Sequence, residues 1–190
     1  MASGANRGVA AIVYAGEVYP EALFQALVDR CRARGYVLAG AVQHAAFPGA
    51  RHRCEVMLED LASGHLTRLF EHRGSGARGC RLDQAALADA IAGIEGSLET
   101  GPDLLVLNKF GKVECEGGGL RDLIGRAVDR GIAVVIAVPQ RNLEAWRSFA
   151  GDCATELSGE PREIERWIDA ARRGVGGRQQ DPMQRAGSGL

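Results

Sequence analysis

The stretch Asp103–Gly119, "DLLVLNKFGKVECEGGG", decides how the chain is read. An apolar run, Leu104 to Leu107, stops at Asn108-Lys109, and two acids follow at Glu114 and Glu116. A short continuous apolar run suits a strand buried on both faces, as in a parallel sheet. In nucleotide-hydrolysing α/β sheets such a strand ends in an Asp that holds Mg²⁺, and a nearby residue positions the attacking water. Here Asn108 stands in the acid's place. Its amide can orient a ligand oxygen but has no charge with which to hold a hard cation. Asn108-Lys109 also starts a guanine-reading pattern, but Gly111 occupies the position where that pattern needs an Asp.

Reading outward, the same alternation recurs. "GVAAIVY", Gly8 to Tyr14, is a strand, and "YPEALFQALVDRCRARG" a helix with apolar Leu23, Leu27, Val28 and Cys31. "YVLAGAVQ" is a second buried strand, and "RCEVMLEDLASGHLTRLFEH" an antiparallel hairpin turning at Ser63-Gly64. Arg73–Asp83, "RGSGARGCRLD", has no periodicity and is expected to be a loop. Asp83 sits at an N-cap position before "QAALADAIAGIEGSLE". Downstream, "LRDLIGRAVDRG" is a helix, "IAVVIAV" a buried strand, "NLEAWRSFAG" a helix, "CATEL" an edge strand and "EPREIERWIDAARRG" a closing helix. The expected fold is three-layer α/β, a mostly parallel sheet with one antiparallel hairpin, in a single domain over residues 1–173. Residues 174–190 are polar and glycine-rich and are expected to be a disordered tail.

Composition narrows the function. A net charge of −1 gives no general attraction for nucleic acid or anionic membrane, so any anion must be captured locally. No apolar run approaches the ~20 residues of a membrane-spanning helix. Five scattered cysteines without a CxxC pair fit neither a disulfide framework nor a zinc knuckle, and a reducing cytoplasm and no metal site are expected.

A Walker loop uses glycines to bring backbone N–H groups to phosphates and a lysine to reach the terminal ones. The loop here, "YAGEVYPEAL", has one glycine, no lysine, and a carboxylate at Glu17. Positive charge lies elsewhere. Lys109 and Lys112 flank Asn108, and the glycines of "RGSGARGCR" allow a nest of N–H groups to which Arg73, Arg78 and Arg81 add forked donors. Cys80, between arginines, has the electropositive setting that favours a thiolate. His44 and His52 flank the loop before Cys54 and offer that thiol a base, while Glu114 and Glu116 are the acids available to a divergent hydrolase.

The order "ARGYVLAGAVQ", "CEVMLEDLASG", "GARGCRLD", "DLLVLNKFGKVE", "GGGLRD" and "IAVVIAVPQRNLEAW" resembles a small bacterial family of unknown function. Some of its members are described with molybdenum or molybdate ABC transport systems. More distantly, the chain is similar to small P-loop nucleoside-triphosphatases, with both the phosphate-holding lysine and the Walker-B acid changed. Together these resemblances imply a degenerate P-loop-like fold. The expected ligand is a small oxyanion, with molybdate the leading candidate, held by Arg73, Arg78, Cys80, Arg81, Asn108, Lys109 and Lys112, and with His44, Cys54 and Glu114 as secondary candidates. Nucleotide hydrolysis, cysteine chemistry and a role as a regulatory or assembly partner, including a homodimer, are the alternatives; no cofactor is specified.

Overall fold

The structure is a computed structural model, and it describes residues 8–16, 18–45, 56–71 and 81–176. Its strands are β1 (Val9–Tyr14), β2 (Leu38–Ala45), β3 (Val56–Asp60), β4 (Leu66–Arg68), β5 (Phe70–Glu71), β6 (Arg81–Leu82), β7 (Leu104–Leu107), β8 (Ala133–Pro139) and β9 (Ala154–Leu157). The helices are α1 (Glu21–Ala33), α2 (Gln84–Leu98), the single turn α3 (Lys112–Cys115), α4 (Arg121–Asp129), α5 (Leu143–Ala150) and α6 (Pro161–Gly176). Short 3₁₀ turns at Gln140–Asn142 and Gly151–Cys153 bracket α5.

Seven strands form one sheet in the order β4-β3-β2-β7-β8-β1-β9. Strands β2, β7, β8, β1 and β9 run parallel, while β3 and β4 are antiparallel to their neighbours. The mostly parallel α/β sheet with an antiparallel hairpin is therefore present as read. β7 and β8 are buried along their whole length, which explains their unbroken apolar runs.

The period of two sorts each strand's side chains between two cores. Ile12, Leu38, Val42, Val106 and Val135 face α1 and α6 on one side. Ala11, Ala41, Leu105, Leu107 and Ile136 face α2, α4 and α5 on the other. β1 leads to α1 on one face, whereas its neighbour β8 leads to α5 on the opposite face. This reversal defines a topological switch point.

Asp83 caps α2 as expected, its Oδ1 accepting from the N–H groups of Ala85 and Ala86 at 3.0 Å each. Arg81-Leu82, expected to be loop, instead pairs with Phe70-Glu71 as a small second sheet. Leu82 packs against the core on the α2 side, and that contact gives the two-residue strand its reason to form. Helix α6 extends to Gly176, beyond the expected domain end at 173, and the rest of the expected tail lies outside the described residues.

Candidate functional site

At the carboxyl end of β7, Asn108–Gly111 is held by its third residue. The Phe110 ring is fully buried, edge-on to Trp146 at 5.2 Å and stacked near Phe149 at 5.8 Å. Its N–H donates to the Ala137 carbonyl, and its own carbonyl accepts from Asn142 Nδ2 at 2.8 Å. An apolar anchor and two polar ties leave Asn108 and Lys109 on a backbone that is fixed on both sides.

The following turn is closed by Glu114, a buried carboxylate. Its Oε2 accepts from Gly111 N–H at 2.8 Å and its Oε1 from Leu120 N–H at 3.1 Å. Each oxygen thus serves a backbone donor, and Glu114 organises the loop around Lys112. Lys112 itself is well exposed and lies 3.6 Å from Glu116, its partner one helical turn on.

Beside this loop lies a cavity of about 250 Å³. Its polar wall is Gln43, Asn108, Lys109 and Lys112, with the turn of Glu114 behind them. Its remaining lining is apolar and comes chiefly from Leu58, Phe70, Leu82, Leu107 and the α2 residues Leu87, Ala90 and Ile91. Asn108 Nδ2 faces Gln43 Oε1 at 3.5 Å, a long contact. Asn108 Oδ1 is buried and has no hydrogen-bond partner among the described residues. A buried acceptor costs free energy until a donor reaches it, so Asn108 offers the cavity an open acceptor.

Asn108, Lys109 and Lys112 therefore come together as the sequence suggests. Arg81 is exposed on β6, next to the cavity-lining Leu82. Arg73, Arg78, Cys80, Cys54 and His52 lie outside the described residues. His44 is one residue from Gln43, and the alternation of β2 turns it to the opposite face. There its Nε2 lies 2.6 Å from Glu59 Oε2, while Glu59 Oε1 accepts from Arg32 at 2.9 Å. His44 is thus separated from the Asn108 cavity by the thickness of the sheet. Gln43 was not singled out by sequence reasoning; its signal was a polar residue ending the apolar strand "YVLAGAVQ".

The loop after β1 is built differently from a phosphate cradle. Tyr19 is buried edge-on to Tyr14 at 6.4 Å and lies 5.2 Å from Phe24, tying the loop to the α1 core. Burial, reinforced by Tyr14 and Glu21, pushes the Tyr19 phenol well above its ordinary range, so it stays neutral. Among the described residues no group of three or more His, Cys, Asp or Glu side chains could hold a metal ion. Nor is any described helix long and apolar enough to cross a membrane.

These features define an α/β protein with a mostly parallel sheet and a partly polar cavity at the carboxyl ends of β2 and β7. The chain belongs to the family described as "Protein of unknown function (DUF2478)", which matches residues 9–167. It is also 36% identical over 159 residues to the "Molybdenum import ATP-binding protein ModC 2" of Bradyrhizobium diazoefficiens. That match takes in 84% of this chain but only 18% of the relative's length. No solved structure matches the chain.

Proposed function

We propose that the protein binds a small oxyanion, with molybdate the leading candidate, at the cavity beside Asn108, and that it serves molybdenum homeostasis. The observation that carries this reading is that Asn108, Lys109 and Lys112 all line one cavity, on a loop that Phe110 and Glu114 make rigid. Lysine charge at the mouth of the cavity attracts an anion without needing a P-loop, with Lys112 shared between that anion and its partner Glu116. The name of the Bradyrhizobium relative supports a link with molybdenum. Arg73, Arg78, Cys80 and Arg81 belong to the proposal through the sequence, and Arg81 also through its position beside Leu82.

Nucleotide binding is the second reading, supported by the words "ATP-binding" in that relative's name. Against hydrolysis in the usual pose stand the absence of a lysine in the Ala15–Pro20 loop and of an acid at position 108. Equilibrium dialysis with molybdate, tungstate and sulfate tests the first reading. Saturable binding that weakens by ~1.5–3 kcal/mol in Lys112→Ala and in Arg78→Ala, the range of a charge-assisted hydrogen bond, supports it. Absence of saturable binding to all three ions overturns it, and phosphate release from ATP with Mg²⁺ would favour the second.

A further inference from the structure

Of the fifteen residues of α2 only Ile94 and Leu98 are buried, both in its second half. In the first half Leu87 and Ala90 are partly buried against the core, and both line the cavity beside Asn108, as does Ala41 of β2. A second cavity of about 390 Å³ opens along the same helix and shares Ala41, Leu58, Ala90 and Ile94 with it. Asp60, Ser63, His65, Thr67 and Asp89 make that second cavity polar, so the apolar slot between α2 and the sheet is the cavity beside Asn108, with its polar wall at one side.

A bare tetrahedral oxyanion would use only the polar wall of Gln43, Asn108, Lys109 and Lys112 and would leave the apolar slot empty. We infer that the occupant is an aromatic organic anion whose ring system lies against α2, with an N–H group directed to Asn108 Oδ1 and an anionic substituent directed to Lys112. Each feature answers one observation. The apolar lining calls for the ring, and the buried Asn108 oxygen without a partner calls for a donor. The lysine at the mouth calls for negative charge. Pockets that combine an apolar body with a few convergent polar groups are the usual form of organic-ligand sites. The inference rests on the anion-binding reading for its charged substituent and departs from it in the body that carries the charge.

Anilinonaphthalenesulfonate carries all three features and is a direct probe. Fluorescence titration of the full chain is expected to give saturable binding of one molecule. In Ala90→Phe, which places a ring in the slot, affinity for the probe should fall by about tenfold or more, the scale of one lost well-packed contact; molybdate binding is measured on the unaltered chain. Lys112→Ala should weaken both ligands. Ala90→Leu is a smaller intrusion and provides the same test if the Phe variant loses its near-ultraviolet circular dichroism. Wild-type affinity for the probe in a folded Ala90 variant overturns the inference and leaves the oxyanion reading standing. Probe binding that depends on Ala90, in a protein that takes up no molybdate, retains the slot and overturns the oxyanion reading.

Discussion

Gly40 and Val106 bring two central strands into closer approach than any side chain allows: a β-carbon on Gly40 would stand 1.9 Å from the Val106 carbonyl oxygen. Gly40 also has a φ of +107°, a region that L-residues with side chains rarely occupy. It is the last residue through which β2 pairs with β7, just before the β3 pairing begins at Ala41. Gly40→Ala combines overpacking with backbone strain, each worth about 1–3 kcal/mol, and is expected to lower stability by roughly their sum. Urea unfolding followed by circular dichroism measures this directly. A loss below about 1 kcal/mol would mean that the strands can part at little cost.

Asp83→Ala should have two separable effects. Removing the cap of α2 costs about 1 kcal/mol of global stability. Because the cap lies at the less buried end of α2, whose buried residues Ile94 and Leu98 are both in its second half, amide hydrogen exchange in residues 84–91 is expected to accelerate more than in α4 or α5. Uniform acceleration through all three helices would show that α2 has no local opening of its own.

Glu114→Gln and Glu114→Ala distinguish a loop-closing role from a catalytic one. Two backbone donors lose their charged acceptor in the Ala variant, and a loss of ~1.5–3 kcal/mol is expected, with part of it restored in Gln because its side-chain oxygen still accepts. Thermal unfolding of the pair provides the measurement. If both variants melt as the wild type does, the carboxylate is not holding the loop.

The pH dependence of stability has a sign fixed by Glu156. Arg147 binds it through two hydrogen bonds, at 2.6 and 2.8 Å, and these hold the Glu156 carboxyl below its ordinary value. A carboxylate depressed in the folded state stabilises the fold above its unfolded pKa, and that contribution is lost as pH falls through the folded value. The stability difference between wild type and Arg147→Ala should therefore be present at neutral pH and shrink below the carboxylate range near ~4. Denaturant melts at several pH values check it; a gap that widens on acidification would contradict the assignment. Both side chains are partly exposed, so the effect should also diminish with added salt.

The strands were legible because burial on both faces leaves an unmistakable apolar run, as in "DLLVL" and "IAVVIAV". Asp83 was legible because a cap is a local device, settled by the next three residues. What escaped depends on distant partners. The two-residue pairing of Phe70-Glu71 with Arg81-Leu82 is too short for any period to register. α3 exists because Glu114 collects backbone donors from Gly111 and Leu120, an arrangement that helix propensity does not encode. The sequence placed His44 among the candidates, yet a single step along β2 separates it from Gln43 and puts the two on opposite faces. The cavity was invisible for a related reason: its lining gathers Gln43, Leu58, Phe70, Leu87 and Asn108 from five separate segments, and no local pattern encodes their meeting.

The strand order has a consequence for the chain as it is made. Both neighbours of β1 come from the last third of the sequence, with Val9 aligned to Val134 on one side and to Ala154 on the other. During synthesis the apolar segment Val9–Tyr14 must wait for more than a hundred residues before either edge can be paired, so β1 is made well ahead of both strands that cover it. In that interval the nascent chain carries an apolar strand with two open edges.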